Sequence, residues 1–242
     1  MTTERPDSDH WEKFAAEWIA WARTPGHDAF WSFREAFSSF VGQGEGRALD
    51  VGCGEGRISR LLSERGYQVT ATDPVPAFVE AAREAGSAEN YRVAPAAALP
   101  FSDAAFDLVV AYNVLMDVVD VPAAVCEMRR VLRSSGTLIV SIVHPFIDRG
   151  RFEGAEPDAR FVVEGSYFGR CRFEALEERD GLAMHFAGWS QPLQNYMAAL
   201  ETAGLAITAL HEPVPDEGAS QPRFARWRRF PMFLWVKARP IA

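Results

Sequence analysis

Cysteine is scarce: the 242-residue chain holds only Cys53, Cys126 and Cys171, with no CxxC pair and no metal-like spacing. That argues against a disulfide framework or a zinc site and fits a reducing cytoplasm. Long apolar runs are missing as well. No window approaches the roughly 18 residues a membrane span needs, so no membrane partner is expected. Positive charge is the minority sign, with 25 Lys and Arg against 33 Asp and Glu and a net charge of −8. A duplex-binding protein usually carries a basic face, so no nucleic-acid partner is expected either. The one basic cluster, RFARWRRF from Arg223 to Phe230, alternates with aromatics and reads as a solvated strand edge. The opening residues, MTTERPDSDHWEKF, are polar and acidic, unlike a secretory signal or a transit peptide. What the chain does have is apolar material, 48% of its residues, enough for a substantial core.

Two glycine-rich heptapeptides, VGQGEGR from Val41 and VGCGEGR from Val51, differ at one position and lie ten residues apart. The first follows DAFWSFREAFSSF, whose Phe30, Phe33, Phe37 and Phe40 recur at helical spacing, so its glycines read as a helix cap and spacer. The second follows RALDV, a short apolar strand, and precedes RISRLLSERG, a helix with Ile58, Leu61 and Leu62 on one face. Strand, glycine turn and helix make a ligand site, because the flanking elements fix the turn. Only the second heptapeptide has that setting.

Charge narrows the ligand. Gly52, Gly54 and Gly56 fall short of a dinucleotide fingerprint, since Arg57 stands where the last glycine belongs. Asp50, at the end of the strand, would repel a pyrophosphate and suits a ligand that presents an ammonium or other cation. Asp73 ends the next strand at about the spacing expected of a ribose-binding acid. A ribose at one end and an amino acid at the other describe S-adenosylmethionine.

The stretches ALDVGCGEGR, VTATDP, AAALPFSDAAFDLVVAYNVL and RRVLRSSGTLIVSIVHP together resemble the class I S-adenosylmethionine-dependent methyltransferases, in particular the type 11 small-molecule group. The resemblance covers Arg47 to Pro145, and beyond it only the order of strands and helices is similar. It implies a Rossmann-like α/β fold: a seven-stranded sheet, mostly parallel with an antiparallel last strand, and helices on both faces. The chain itself alternates strands and helices in the same way. NYRVA, FDLVVAY, TLIVSIV, LAITALHE and MFLWVKAR read as strands, and Pro74–Gly86, DVPAAVCEMRRVLRSSG and QPLQNYMAALETAG as helices. The expected parts are a helical lid (1–46), a cofactor-binding half (47–143), an acceptor-binding insertion (144–190) and the remainder of the same domain (191–242).

The resemblance also implies roles. The amides of Gly52, Cys53 and Gly54 are expected to face the methionine part of the cofactor. Asp50 is expected to support this loop and reach the ammonium through water, and Arg23 to reach the carboxylate. Asp73 takes the ribose hydroxyls, and Pro74 lies beside the adenine. Where the family shows an Asp before Ala, this chain has Pro95, which leaves backbone contacts at Ala96 and Ala97. Asn113 is placed near the cofactor tail. Trp21, Tyr112, His144, Tyr167 and His185 are the candidate acceptor wall, with His144 as general base and Tyr167 as a second catalytic candidate. The implied function is methyl transfer to O, N or C of a small, largely aromatic or apolar acceptor, without a metal. An RNA methyltransferase and a non-catalytic cofactor-binding partner subunit are the alternatives. Monomer and homodimer are left open.

Overall fold

A computed structural model describes residues 7–216 and 222–241. The first six residues of the acidic opening therefore lie outside the described residues. The strands β1 (Arg47–Val51), β2 (Gln68–Asp73), β3 (Asn90–Val93), β4 (Phe106–Tyr112) and β5 (Leu132–Val143) alternate with α4 (Arg57–Glu64), α5 (Pro76–Glu84) and α6 (Val121–Val131). Three helices precede them: α1 (Asp7–Lys13), α2 (Ala15–Arg23) and α3 (Phe30–Val41). After β5 come two hairpins, β6 (Gly150–Phe152) with β7 (Phe161–Val163) and β8 (Cys171–Arg179) with β9 (Leu182–Ser190). The chain then returns to the sheet through α7 (Leu193–Thr202), β10 (Leu205–His211) and β11 (Phe233–Pro240). The sheet runs β10-β11-β5-β4-β1-β2-β3. Only β11 is antiparallel to its neighbours, β10 and β5, which is the antiparallel last strand that the resemblance implied.

Alternation along the strands builds two cores. Val109 and Ala111 of β4 face Val125, Met128, Ala199 and Leu200 of α6 and α7. Leu108, Val110 and Tyr112 face Phe33, Phe37, Leu61 and Leu62 of α3 and α4. Residues i and i+2 of a strand share a face, so one apolar run serves both layers. Helix α3 is thus a wall of the sheet sandwich and no part of a lid, which corrects the boundary at residue 46. Helix α6 also stops short of Gly136: Leu132 is already in β5, opposite Phe106, with a register shift before Thr137. The basic cluster is corrected too. Residues Pro222–Arg228 form a 3-10 turn with Phe224 buried, and Arg226 and Arg229 donate to the carbonyls of Gly154 and Ala159.

Candidate functional site

The crossover between β1 and β4, where connections leave the sheet on opposite sides, opens a crevice at the strands' carboxyl ends. A cavity of about 440 Å³ sits there. Its floor is the second glycine loop (Gly52, Cys53, Gly54), the β2 turn (Asp73, Pro74, Val75) and the turn after β3 (Pro95, Ala96, Ala97). Tyr112 and Asn113 close the end of β4. Trp11 and Trp18 cover the cavity from α1 and α2, and Phe173, Phe186 and Ala187 cover it from the β8–β9 hairpin.

The first heptapeptide takes no part. Gly42 caps α3 by donating to the Ser38 carbonyl, and Gly44 donates to that of Arg65. Gly44 is nevertheless more than a spacer, because a Cβ there would run into the Tyr67 ring. In the second loop Gly52 and Gly54 have φ of +70° and +53°. A Cβ on Gly52 would collide with Val114, and one on Gly54 would stand 3.1 Å from Trp18 Nε1. Only glycine leaves this surface open.

The loop's amides do not face a ligand as expected. Gly52 and Cys53 donate to the Thr72 carbonyl at 2.7 and 2.9 Å, and Gly54 donates to Asp73 Oδ2 at 2.9 Å. The loop therefore offers close approach, with its N–H groups spent on β2. Asp73 takes Val75 N–H on its other oxygen at 2.9 Å. Burial pushes its carboxyl up to about 6 against those two bonds. Asp50 lies under the loop and outside the cavity lining, with Ser59 Oγ donating to Oδ2 at 2.6 Å and Oδ1 unpartnered. Burial first, opposed by Ser59 and assisted by the Asp73 charge, pushes it up to about 7. Asn113, at φ +56°, accepts from Ser141 Oγ through Oδ1 at 2.8 Å.

Five expected residues lie elsewhere. Arg23 donates to the Ala81 carbonyl at 2.7 Å and pairs with buried Glu55, so it ties α2 to α5. Trp21 is core, packed edge-on against His27 and Phe186. His144 bonds Glu212 through Nε2 at 3.1 Å and accepts Phe146 N–H at Nδ1, closing the turn after β5. Burial holds it below its usual pKa, with Glu212 opposing. Tyr167 Oη accepts from Leu193 N–H at 2.9 Å and caps α7. His185 stacks on Phe14 and pairs with Glu17 at 2.8 Å. None of the five lines the cavity. Histidine at a strand end and aromatics in an insertion are sequence signals, but a neighbouring carboxylate or a helix end claimed each side chain first.

The sequence passed over Trp11, Trp18, Phe78, Phe173 and Phe186 as cavity walls and Arg57 as a charged one. Trp11 and Trp18, seven apart, share one face of the leader helices; that spacing was the available signal.

A family described as "Methyltransferase domain" matches residues 49–140. The malonyl-[acyl-carrier protein] O-methyltransferase of Enterobacter lignolyticus is 38% identical over 176 residues, 69% of this chain and 66% of that protein. The ubiquinone biosynthesis O-methyltransferase of Methylocella silvestris is 35% identical over 102 residues, 40% of each. An S-adenosylmethionine-dependent methyltransferase from Mesorhizobium loti superposes with a TM-score of 0.69 at 24% identity, covering 88% of this chain and 98% of that one. The chain belongs to the class I S-adenosylmethionine-dependent methyltransferases. The matched stretch spans 36% to 66% of these carrier-protein methyltransferases, so the relatives' acceptors do not transfer with the family.

S-adenosylmethionine is the cofactor of this methyltransferase family, and the cavity fits it. The glycine floor admits a close ligand, and the Tyr112 hydroxyl is buried at the cavity without a partner. No metal cluster occurs among the described residues, and no described helix is long and apolar enough to cross a membrane.

Proposed function

We propose that the protein transfers the methyl group of S-adenosylmethionine to a small, largely apolar acceptor that arrives already nucleophilic. The observation that carries this is the cavity itself: a glycine floor and Asp73, walled by the apolar side chains of Met116, Val118, Val143, Phe173 and Phe186. Among the described residues no histidine or lysine lines it, and its charged lining is Glu55, Arg57, Asp73, Asp117 and Asp120. Asp73 and Pro74 hold the ribose and the near edge of the adenine, and the Pro95–Ala97 turn supplies backbone to the base. Asn113 lies beside the tail. The sulfonium methyl is already activated chemically. The chain's own contribution is alignment, together with exclusion of water by the two aromatic covers.

A bound general base is not part of this scheme. His144 and Tyr167 are engaged elsewhere, so the acceptor supplies its own electron pair as a thiolate, an amine, a carboxylate or an acidic phenol. The test is turnover of labelled S-adenosylmethionine with a metabolite extract, followed by mass spectrometry of the methylated product. His144→Gln should keep its rate within about threefold of wild type, far less than the 10²-fold or greater loss of a general base. A loss of that larger size, with acceptor affinity intact, would restore His144 to catalysis. Cofactor binding without any methylated product would favour a binding-only partner subunit.

A further inference from the structure

The cofactor's carboxylate has lost both of its expected partners, since Arg23 is bound to Ala81 and the loop amides to Thr72 and Asp73. Another polar corner lies next to the glycine loop, sharing Trp18 with Gly54. Arg57, the residue that displaces the third glycine of a dinucleotide fingerprint, begins α4 and lines the cavity beside Gly54. Its guanidinium lies 4.9 Å from the Trp18 ring, 4.6 Å from Phe30 and 5.9 Å from Tyr112. Asp28 accepts from Nη1. Tyr112 is 6% exposed, lines the same cavity, and its Oη has no hydrogen-bond partner.

We propose that Arg57, with the Tyr112 hydroxyl beside it, binds the carboxylate of the cofactor's amino-acid tail and makes the site selective for a carboxylated ligand. The assignment rests on S-adenosylmethionine being the ligand of this cavity. A guanidinium carries five donors in a planar fork that matches a carboxylate, and Asp28 uses one nitrogen of it. Three aromatic rings keep water off the cation, so its attraction is screened less than at a surface. Burial alone would lower the Arg57 pKa, but Asp28 outweighs it and keeps the charge in place. Burial raises the Tyr112 phenol far above neutrality, so it stays a donor. The positive end of α4 lies under the same corner.

The experiment is calorimetry with S-adenosylmethionine and with its decarboxylated analogue, which lacks only the carboxylate. Wild type should prefer the carboxylated ligand by about 10- to 100-fold, the range for hydrogen bonds to a charged group. Tyr112→Phe should shrink that ratio, and Arg57→Met should bring it close to one while leaving the analogue's affinity unchanged. Asp28→Asn, which removes the competing carboxylate and keeps the cation, should retain the ratio or raise it. If Arg57→Met fails to fold, a ratio that shrinks in Tyr112→Phe and does not shrink in Asp28→Asn still decides the assignment. An unchanged ratio in the Arg57 and Tyr112 variants, or equal losses for both ligands in all three, would overturn the assignment. Wild type that binds neither ligand would instead overturn the cofactor itself.

Discussion

At the scale of single residues, two glycines in nearly identical heptapeptides do different work. Gly54→Val would push side-chain atoms toward Trp18 and across the cavity floor, so S-adenosylhomocysteine binding should vanish in calorimetry. Gly44→Val would strike the Tyr67 ring away from the cavity. That variant should lose about 1–3 kcal/mol of stability to overpacking while its folded fraction keeps its affinity. Comparable loss of binding in both would mean that the first heptapeptide shapes the site. Acids shifted upward by burial, Asp50 and Asp73 at the glycine loop and Asp148 after β5, shape the pH dependence. Asp50 and Asp73 stand at about 7 and about 6 in the fold, above the unfolded value of 3.8. Their contribution to stability is therefore full below about pH 4 and is lost as pH rises through 6 and 7. Denaturant midpoints should fall from pH 5 to pH 8, and Asp50→Asn should fall less. An Asp50→Asn curve parallel to wild type would mean that Asp50 does not carry the effect.

At the scale of elements, the two covers of the cavity are joined to each other. Glu17 pairs with His185, His10 Nε2 bonds the His185 carbonyl at 2.8 Å, and Phe14 stacks on the same imidazole at 4.3 Å. Below them Trp18 and Trp21 both meet Phe186 edge-on. His185 therefore fastens α2 to β9, and Phe186, the next residue on the opposite face of the strand, reaches the cavity. A partly exposed ion pair contributes about 0.2–1 kcal/mol. Glu17→Gln should accordingly speed cofactor release about two- to fivefold in stopped-flow measurements and leave the melting temperature almost unchanged. Unaltered release would show that the covers part somewhere else. This joint also marks what the sequence could convey. The strand–glycine–helix unit and the alternation of strands and helices were legible, because each depends on local spacing and apolar alternation, whereas the seven-stranded sheet came with the family resemblance. The pairing of Glu17 with His185, 168 residues apart, leaves no periodic trace. Neither does the capping of α7 by Tyr167, and so both side chains were placed at the acceptor. The departure at Arg57 was visible in the sequence, but its meaning depends on three rings and Asp28 converging from other elements.

At the scale of the whole molecule, the cavity touches every layer: the sheet edge through Asp73 and Tyr112, α1 and α2 through Trp11 and Trp18, and the hairpin through Phe186. A ligand bound there bridges parts that otherwise meet through a few side chains, so binding should be felt as global stability. Binding to the folded state alone stabilises by about 2.7 kcal/mol at a hundredfold excess over Kd. For a chain of this size each kcal/mol moves the melting temperature by about 2–4 °C. S-adenosylhomocysteine at that excess should therefore raise the midpoint by about 5–11 °C in scanning fluorimetry. NADH should not move it, because Asp73 lines the cavity and the amides of Gly52, Cys53 and Gly54, already engaged, leave no cradle for a pyrophosphate. A short RNA should not move it either, given a net charge of −8. The contrast between ligands matters more than the size of the shift. A rise with NADH and none with S-adenosylhomocysteine would mean that the cavity has been assigned to the wrong cofactor.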